Sequence, residues 1–270
     1  MFQVTALARK GVKAAALPVG LLRPRRRGDV VVLLYHRVGE GDREIDLPKA
    51  SFERQLLTLA RHDRVRSLDD ALSDREGGVV LTFDDGYRDF YSHVLPLLVR
   101  YRLPGLLYLA TSLVANGSGG SPAEPPLTWS MLSEAASTGL VAIGAHTHSH
   151  ADLSNASEEE AAAEMRRSKE LVEDRIGIPC RHFAYPWSVG SAGAHRAATQ
   201  LFETAARESW KTNRRGAMDR HRLGRTPILR NDGRVFFRAK TLGLLDGEAF
   251  AYRVMKRGPW RRPDELGVVR

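Results

Sequence analysis

The sequence predicts an α/β protein in which parallel strands alternate with helices, and three observations support this fold class. Short apolar runs rich in Val, Ile and Leu recur along the chain, as in strands that are buried on both faces. Segments with apolar residues at helical spacing lie between these runs. The chain has 270 residues, of which 43% are hydrophobic and 27% charged, and this composition favours one globular domain of barrel size.

The predicted elements follow one another along the chain as βα units. Strands are predicted at Val30–Leu34, Val79–Phe83, Gly105–Ala110, Val141–Ala145, His182–Tyr185 and Glu203–Ala206. Helices are predicted at Phe52–Arg61, Phe90–Tyr101, Thr128–Ala136, Ser157–Ile176 and Ala192–Phe202. The helix from Ser157 is the best defined, because Ser157 and Glu160 fit a capping box and Gly177 ends the periodic pattern. Residues 116–122 are rich in glycine and serine and are predicted to be a flexible insertion.

The charge of the chain is strongly positive, with a formal net charge of +9 and a pI near 10.0. Much of this charge lies in residues 23–27 and 256–262, and charged terminal segments are usually solvated, so we predict no nucleic-acid partner. The apolar residues 14–22 are too few to span a bilayer, and we expect no signal peptide and a cytoplasmic location. An unstructured N-terminus is the favoured interpretation, but peripheral contact of the basic termini with an anionic membrane surface stays open.

Two adjacent carboxylates end the predicted strand Val79–Phe83. Asp84 and Asp85 precede Gly86, which allows the backbone to turn sharply. Like charges so close together are costly unless a cation lies between them or one group is protonated. A solvated Asp-Asp-Gly turn is the simpler alternative, and this stretch alone does not decide between the two.

Three histidines follow the predicted strand Val141–Ala145. His146, His148 and His150 fall within five residues, and such a cluster after a buried strand favours a metal site over a structural role. In a helical turn His146 and His150 would converge, whereas in an extended chain His146 and His148 would share a face. The spacing leaves both arrangements open.

These two motifs, Thr82–Gly86 and His146–His150, resemble the first two motifs of the polysaccharide deacetylase family, also called the NodB homology domain or carbohydrate esterase family 4. Tyr35–Val38 resembles the end of the family's first strand, and Phe183–Pro186 resembles a common form of its third motif. The resemblance implies a distorted (β/α)7-type barrel with one catalytic domain. The predicted division is a basic extension at 1–28, the catalytic domain at 29–230 and a peripheral segment at 231–270.

The resemblance also implies the roles of individual residues. It implies that Asp85, His146 and His150 bind a divalent metal, whereas His148 is not a metal ligand. The expected metal is zinc, with cobalt or another divalent ion as alternatives. Asp84 is the implied general base, which accepts a proton from the attacking water. The implied reaction is removal of the acetyl group from an N-acetylated amino sugar in a glycan or glycoconjugate.

Substrate contacts are expected from the third motif and from the end of the first strand. The backbone N–H of Tyr185 is the implied partner of the oxyanion that forms in the reaction. The ring of Tyr185 or of Trp187 would stack on the sugar, with core packing as the alternative, which we favour for Phe183. His36 is a further candidate for substrate binding.

The chain departs from the family pattern at two positions. Ala184 stands where many members carry an arginine that orients the base, and Arg225 stands where the fifth motif has a histidine as general acid. A guanidinium does not release its proton near neutral pH, so we predict that Arg225 is a catalytic residue that pairs with Asp84 instead. His221, His36 or a metal-bound water would then be the acid.

Two further points about the match to the family stay open. The fourth family motif, an aspartate–tryptophan pair, has no counterpart that we recognise in the sequence. Because of the departures at Ala184 and Arg225, the alternative function is that of a member that has lost catalysis and binds glycan without deacetylating it.

Overall fold

A closed parallel barrel forms the centre of the computed structural model, which describes residues 25–62, 64–115 and 125–246. The strands are β1 (Val30–Tyr35), β2 (Arg37–Val38), β3 (Asp46–Leu47), β4 (Gly78–Phe83), β5 (Gly105–Leu109), β6 (Val141–Ala145), β7 (His182–Ala184), β8 (Thr204–Glu208) and β9 (Leu223–Pro227). Within these described ranges, seven strands form the barrel in the order β1-β4-β5-β6-β7-β8-β9, and β9 pairs with β1 to close it. Strands β2 and β3 form a small separate sheet. The predicted α/β fold class and single (β/α)7-type barrel are confirmed.

Helices cover the outside of the barrel. They are α1 (Lys49–His62), α2 (Leu68–Ser73), α3 (Leu95–Tyr101), α4 (Thr111–Ala115), α5 (Trp129–Ser137), α6 (Glu158–Ile176), α7 (Ala192–Leu201) and α8 (Arg234–Thr241). A π-helical turn at Phe90–Val94 leads into α3, and 3-10 turns lie at Pro186–Ser188 and Arg215–Ala217. Of the helices in the described ranges, none is both long and apolar enough to cross a bilayer.

The strongly periodic elements are at the predicted positions to within a few residues. The capping box of α6 is present, since Ser157 Oγ accepts from the Glu160 N–H at 3.2 Å and Glu160 Oε2 accepts from the Ser157 N–H at 2.8 Å. The sequence did not predict β2, β3, β9, α2, α4 or α8. Strand β9 was missed because its sequence, Leu-Gly-Arg-Thr-Pro, has no strand periodicity and becomes buried only through its neighbours in the barrel.

The core has two layers, one inside the barrel and one between the strands and the helices. Side chains that alternate along the strands fill the inside, and Leu68 and Ala71 of α2 cover it at the amino ends of the strands. The interior apolar residues are Val30, Val32, Val80, Leu106, Tyr108, Ala184, Ala206 and Leu223. Toward the carboxyl ends the inward positions become polar, with Asp84 directly after β4 and Arg225 on β9. The barrel therefore presents its chemistry at one end.

The described part of the segment predicted to be peripheral, residues 231–246, packs against the barrel. Phe237 and Lys240 are only 2% and 1% exposed. Lys240 Nζ donates to Asp232 Oδ2 and to the Pro227 carbonyl, both at 2.6 Å, which ties α8 to the end of β9. The boundaries proposed at residues 28 and 230 stay predictions, and the insertion at 116–122 and residues 1–24 of the extension lie outside the described ranges.

Candidate active site

The two adjacent carboxylates lie where β4 ends at the mouth of the barrel. The Asp84 N–H donates to the Tyr35 carbonyl at 3.1 Å and so continues the pairing of β4 with β1. The chain then turns, with φ of 75° at Asp85 and 103° at Gly86. A Cβ at Gly86 would lie 2.5 Å from Leu109 Cδ1, so the turn requires glycine. Asp84 therefore faces the barrel interior and Asp85 faces its mouth.

The histidine motif forms an irregular loop after β6 that brings His146 and His150 together. Glu164 of α6 accepts the backbone N–H groups of His148 and Ser149 at 3.0 and 2.8 Å, and His150 has a φ of 58°. The rings of His146 and His150 are 5.0 Å apart, centroid to centroid. His148 turns away and its Nδ1 contacts Thr111 Oγ1 at 2.9 Å. Of the two arrangements that the spacing allowed, the structure has the one that pairs His146 with His150.

The side chains of Asp85, His146 and His150 have the geometry of a metal site. Asp85 Oδ1 lies 3.2 Å from His150 Nε2 and 3.6 Å from His146 Nε2. Donors around a tetrahedral zinc ion with bonds of about 2.1 Å are about 3.4 Å apart, which matches these separations. His146 Nδ1 lies 2.8 Å from the Ala184 carbonyl, which can only accept, so Nδ1 carries the proton and Nε2 is free to bind an ion. The donor set therefore fits a divalent cation.

The three donors influence one another's protonation. Burial lowers the pKa of His146 to about 4, so its imidazole is neutral, as a metal ligand must be. Burial raises the pKa of Asp85, but the hydrogen bond and charge of His150 outweigh it and hold that pKa far below its usual range. Burial lowers the pKa of His150, and the contact with Asp85 more than reverses this. A bound cation would replace the proton that His150 shares with Asp85.

Asp84 pairs with Arg225 through two parallel hydrogen bonds. Arg225 Nη1 donates to Oδ1 at 2.6 Å and Nη2 donates to Oδ2 at 2.8 Å. Burial raises the pKa of Asp84, but the charge and hydrogen bonds of Arg225 lower it and more than offset the effect of burial. Asp84 Oδ2 lies 3.8 Å from His146 Nε2, beside the metal donors and outside their set. The predicted pairing is thus present, while the catalytic roles of both residues stay predictions.

The expectations for Tyr185 are wrong. Its N–H donates to the Ala206 carbonyl at 3.0 Å as part of the barrel ladder, so it is not available to an oxyanion. Its ring is 5% exposed and packs edge-on against Phe183 at 4.9 Å between centroids. Tyr185 points outward because it follows Ala184, which faces the barrel interior. As expected, Phe183 is a core residue.

Trp187 and His36 lie at the mouth, as the sequence predicts. The Trp187 ring packs edge-on against His150, with centroids 4.7 Å apart, and the side chain is half-buried. Trp187 has a φ of 56°, and among the described residues we find no acceptor for its backbone N–H. His36 directly follows β1, near Asp84 and Asp85 at the mouth. Substrate contact by either residue stays a prediction.

His221 is excluded as the general acid by its position. It precedes β9, and its Nε2 lies 2.9 Å from the Phe202 carbonyl near the start of β8. Both residues are at the amino ends of the strands, at the opposite end of the barrel from Asp84 and Asp85.

Sequence reasoning missed Glu208, which ends β8 at the mouth. Its Oε1 accepts a hydrogen bond from the indole N–H of Trp210 at 2.6 Å. The structure thus contains a contact between a carboxylate and a tryptophan, although the sequence showed no aspartate–tryptophan pair that matches the fourth family motif. An acid two residues after the predicted strand Glu203–Ala206, with an aromatic residue two positions further on, was the available signal.

Comparison with known proteins finds similarity to polysaccharide deacetylases. The family model described as polysaccharide deacetylase matches residues 72–205. The curated "Putative polysaccharide deacetylase YxkH" of Bacillus subtilis (strain 168) is 24% identical over 173 residues. That match covers 61% of this chain and 59% of the relative, so the chain spans about three fifths of the relative's length.

Solved structures with this fold include two with similar coverage. "Streptococcus pyogenes deacetylase PplD in complex with acetate" has a TM-score of 0.72 at 22% identity, covering 80% of this chain and 99% of that one. "Structure of IcaB from Ammonifex degensii" has a TM-score of 0.68 at 24% identity, covering 80% of this chain and 97% of that one. At these identities the likeness establishes the barrel fold.

Proposed function

The chain belongs to the polysaccharide deacetylase family, and from this premise we propose that it is a metal-dependent hydrolase of N-acetylated amino sugars in a polysaccharide or glycoconjugate. One observation carries the proposal: the donor set Asp85, His146 and His150 lies beside Asp84, a carboxylate that Arg225 keeps ionised. A cation site and an adjacent base are the two components that hydrolysis of an amide by water requires.

The residues present fit a zinc ion or another divalent ion. When bound by Asp85, His146 and His150, such an ion supplies Lewis acidity to the acetamido carbonyl and to the attacking water. Asp85 contacts both imidazoles and would act as a ligand of the ion, so it is not available as the base. A second carboxylate is therefore needed as the base.

Asp84 is that base in our proposal. A carboxylate has about four lone-pair positions and Arg225 occupies two of them, so Asp84 can still accept a proton from water. The two hydrogen bonds hold the carboxylate plane in one orientation and favour its ionised form. Arg225 is thus a positioning residue, which replaces from β9 the arginine missing at Ala184 on β7.

Trp187 is the residue that we assign to the oxyanion. Its backbone N–H follows Pro186 at the mouth and has no acceptor in the part of the chain that is described, in contrast to that of Tyr185. The ring against His150 shields one side of the donor set and offers a face to a sugar. Trp187 therefore contributes through both its backbone and its ring.

The test is release of free amine from N-acetylated saccharides of different lengths, with and without added zinc or cobalt. The proposal predicts amine release that depends on the metal and is abolished by a chelator. Binding of the saccharides with no amine released under any condition would favour the alternative of a glycan-binding protein that has lost catalysis.

The metal site is tested separately by elemental analysis of the purified protein. The double variant His146→Ala/His150→Ala should retain less than about a tenth of the wild-type metal, because removal of two of three ligands leaves no chelating set. His62→Ala is the matched control, since His62 is exposed at the end of α1. Equal metal content in the double variant and in wild type would contradict the assignment. The cytoplasmic location stays a prediction.

A further inference from the structure

A reaction that expels an amine needs a proton donor at the mouth of the barrel, and Arg225 cannot supply one. The inference that follows rests on the proposed deacetylation. His221 is at the other end of the barrel. Glu208 is a carboxylic acid at the mouth of the barrel. Neither the family resemblance nor the proposed mechanism assigns it a role.

The register of the barrel turns Glu208 toward its interior. Glu208 pairs with Arg225, two positions after the pair of Ala206 with Leu223. Ala206 and Leu223 both belong to the interior cluster, and side chains alternate along a strand, so Glu208 and Arg225 also face inward. Glu208 is therefore the inward neighbour of the guanidinium that holds Asp84.

The hydrogen bonds of Glu208 fix its backbone and leave one carboxyl oxygen free. Its N–H donates at 2.8 Å to the hydroxyl of Ser188, the residue after Trp187. Oε1 accepts from the Trp210 indole N–H, whereas Oε2 has no hydrogen-bond partner in the described ranges of the chain. The side chain is half-buried, so this second oxygen can carry a proton in reach of a ligand.

Charged groups from three elements face Glu208. They are His36 after β1, Arg225 on β9 and Lys240 on α8, and each favours the carboxylate, as does the hydrogen bond from Trp210. Burial outweighs all of them and raises the pKa of Glu208 above its ordinary value. This is the direction that a general acid requires, since the proton must be present before it is given away.

We propose that Glu208 is the general acid that protonates the departing amine. Water adds to the acetyl carbon and gives one proton to Asp84. When the resulting tetrahedral adduct collapses, the C–N bond breaks and its electron pair stays on nitrogen, which takes the proton from Glu208 Oε2. The products are the amino sugar and acetic acid, which ionises to acetate; Asp84 releases its proton to solvent, and solvent returns a proton to Glu208.

The test compares two leaving groups in the zinc-loaded full chain. An N-acetylglucosamine oligomer loses an amine that must be protonated, whereas 4-nitrophenyl acetate loses a phenolate that need not be. Glu208→Gln keeps the acceptor for Trp210 but removes the acidic proton. Amine release should fall at least about 100-fold in this variant, and ester hydrolysis should stay within about threefold of wild type.

The pH profile gives a second readout that a structural role would not change. Wild-type amine release should fall as pH rises through the pKa of Glu208, and Glu208→Gln should lose this alkaline decline. Glu203→Gln, at the opposite end of β8 and exposed, should match wild type with both substrates. Equal bound metal in all three proteins shows that the site is intact.

Three outcomes overturn the proposal. Equal loss of amide and ester cleavage in Glu208→Gln means that the residue is structural, and unchanged amide cleavage means that another group is the acid. A wild-type protein that cleaves the ester and releases no amine refutes the proposed deacetylation itself, and the role of Glu208 falls with it.

Discussion

The two ends of the barrel each carry a carboxylate and a buried histidine, yet only one end has the geometry of an active site. At the amino ends of the strands, His182 Nδ1 contacts Thr204 Oγ1 at 3.0 Å and Nε2 lies 3.4 Å from Asp69 Oδ1. At the mouth, His146 uses Nδ1 on the Ala184 carbonyl and directs Nε2 at Asp85. A histidine with both nitrogens occupied by fixed partners is structural, whereas one with a nitrogen directed at other donors can bind a metal.

Backbone strain separates the two ends in the same way. Of the seven non-glycine residues with positive φ in the described ranges, six lie in the loops at the mouth. They are Asp85, Thr147, His150, Trp187, Ser188 and Trp210. Such conformations cost about 1–3 kcal/mol each and persist where the surrounding structure imposes them. Backbone strain is therefore concentrated at the end of the barrel that carries the candidate metal donors.

The largest expected effect distinguishes the aspartates of the two ends. Asp84→Asn should lower turnover about 1,000-fold while metal is retained, because the variant lacks the base but keeps the donor set. Asp69→Asn at the amino end should leave turnover near wild type. The comparison fails if Asp84→Asn remains active or if the two variants lose activity alike, as measured by amine release at equal metal content.

The next effect concerns stability. Arg225→Ala should lower the free energy of unfolding by about 3–5 kcal/mol, since it leaves the buried Asp84 charge without a partner. Arg181→Ala should cost at most about 1 kcal/mol, because Arg181 and Asp69 have side chains 47% and 41% exposed. Urea denaturation of both variants checks this, and similar losses would mean that the interior pair is no stronger than the surface pair.

Asp89 near the mouth and Asp69 at the amino end have pKa values that are shifted in opposite directions. Burial raises the pKa of Asp89, after the β4 turn, to about 6, against the hydrogen bond from Val38 and the charges of Arg37 and His93. At Asp69 the hydrogen bond with His182 outweighs burial and lowers the pKa. A raised pKa in the folded state gives stability that is present at acid pH and lost as pH rises through 6.

Asp89→Asn should therefore flatten the pH dependence of stability. Between pH 5 and 8 the wild-type free energy of unfolding should fall by about 1.4 kcal/mol more than that of the variant. Urea midpoints across this pH range make the measurement, with Asp174→Asn on the exposed face of α6 as control. Parallel curves for wild type and Asp89→Asn would rule out the raised pKa.

The smallest effect is expected at the amino end. Thr204→Val removes the hydroxyl partner of the buried His182 Nδ1 and should cost about 1–2 kcal/mol of stability. Turnover and metal content should not change, since this network lies at the opposite end of the barrel from the donor set. A loss of metal in Thr204→Val would show that the network at the amino ends affects the metal site, which would contradict the separation of the two ends.

Local pattern accounts for what the sequence could predict. Apolar runs located most of the barrel strands, and capping residues located α6 to within a residue. The motif pairs Asp84–Asp85 and His146–His150 each lie at the end of a predicted strand, and the carboxyl ends of parallel strands meet at one edge. The strand ends therefore predicted where a metal site could lie, whereas the choice of Asp85, His146 and His150 as its donors came from the family resemblance.

The tertiary fold decided what depends on side-chain direction and on residues distant in sequence. Arg225 and Asp84 are 141 positions apart, and only closure of the barrel by β9 brings them into contact. Tyr185 and Glu208 show the same limit, because a shift of one residue in strand phase moves a side chain from the interior to the outer layer. A single sequence indicates which residues are able to take part in the chemistry. The register of the closed sheet determines which of their side chains point into the site.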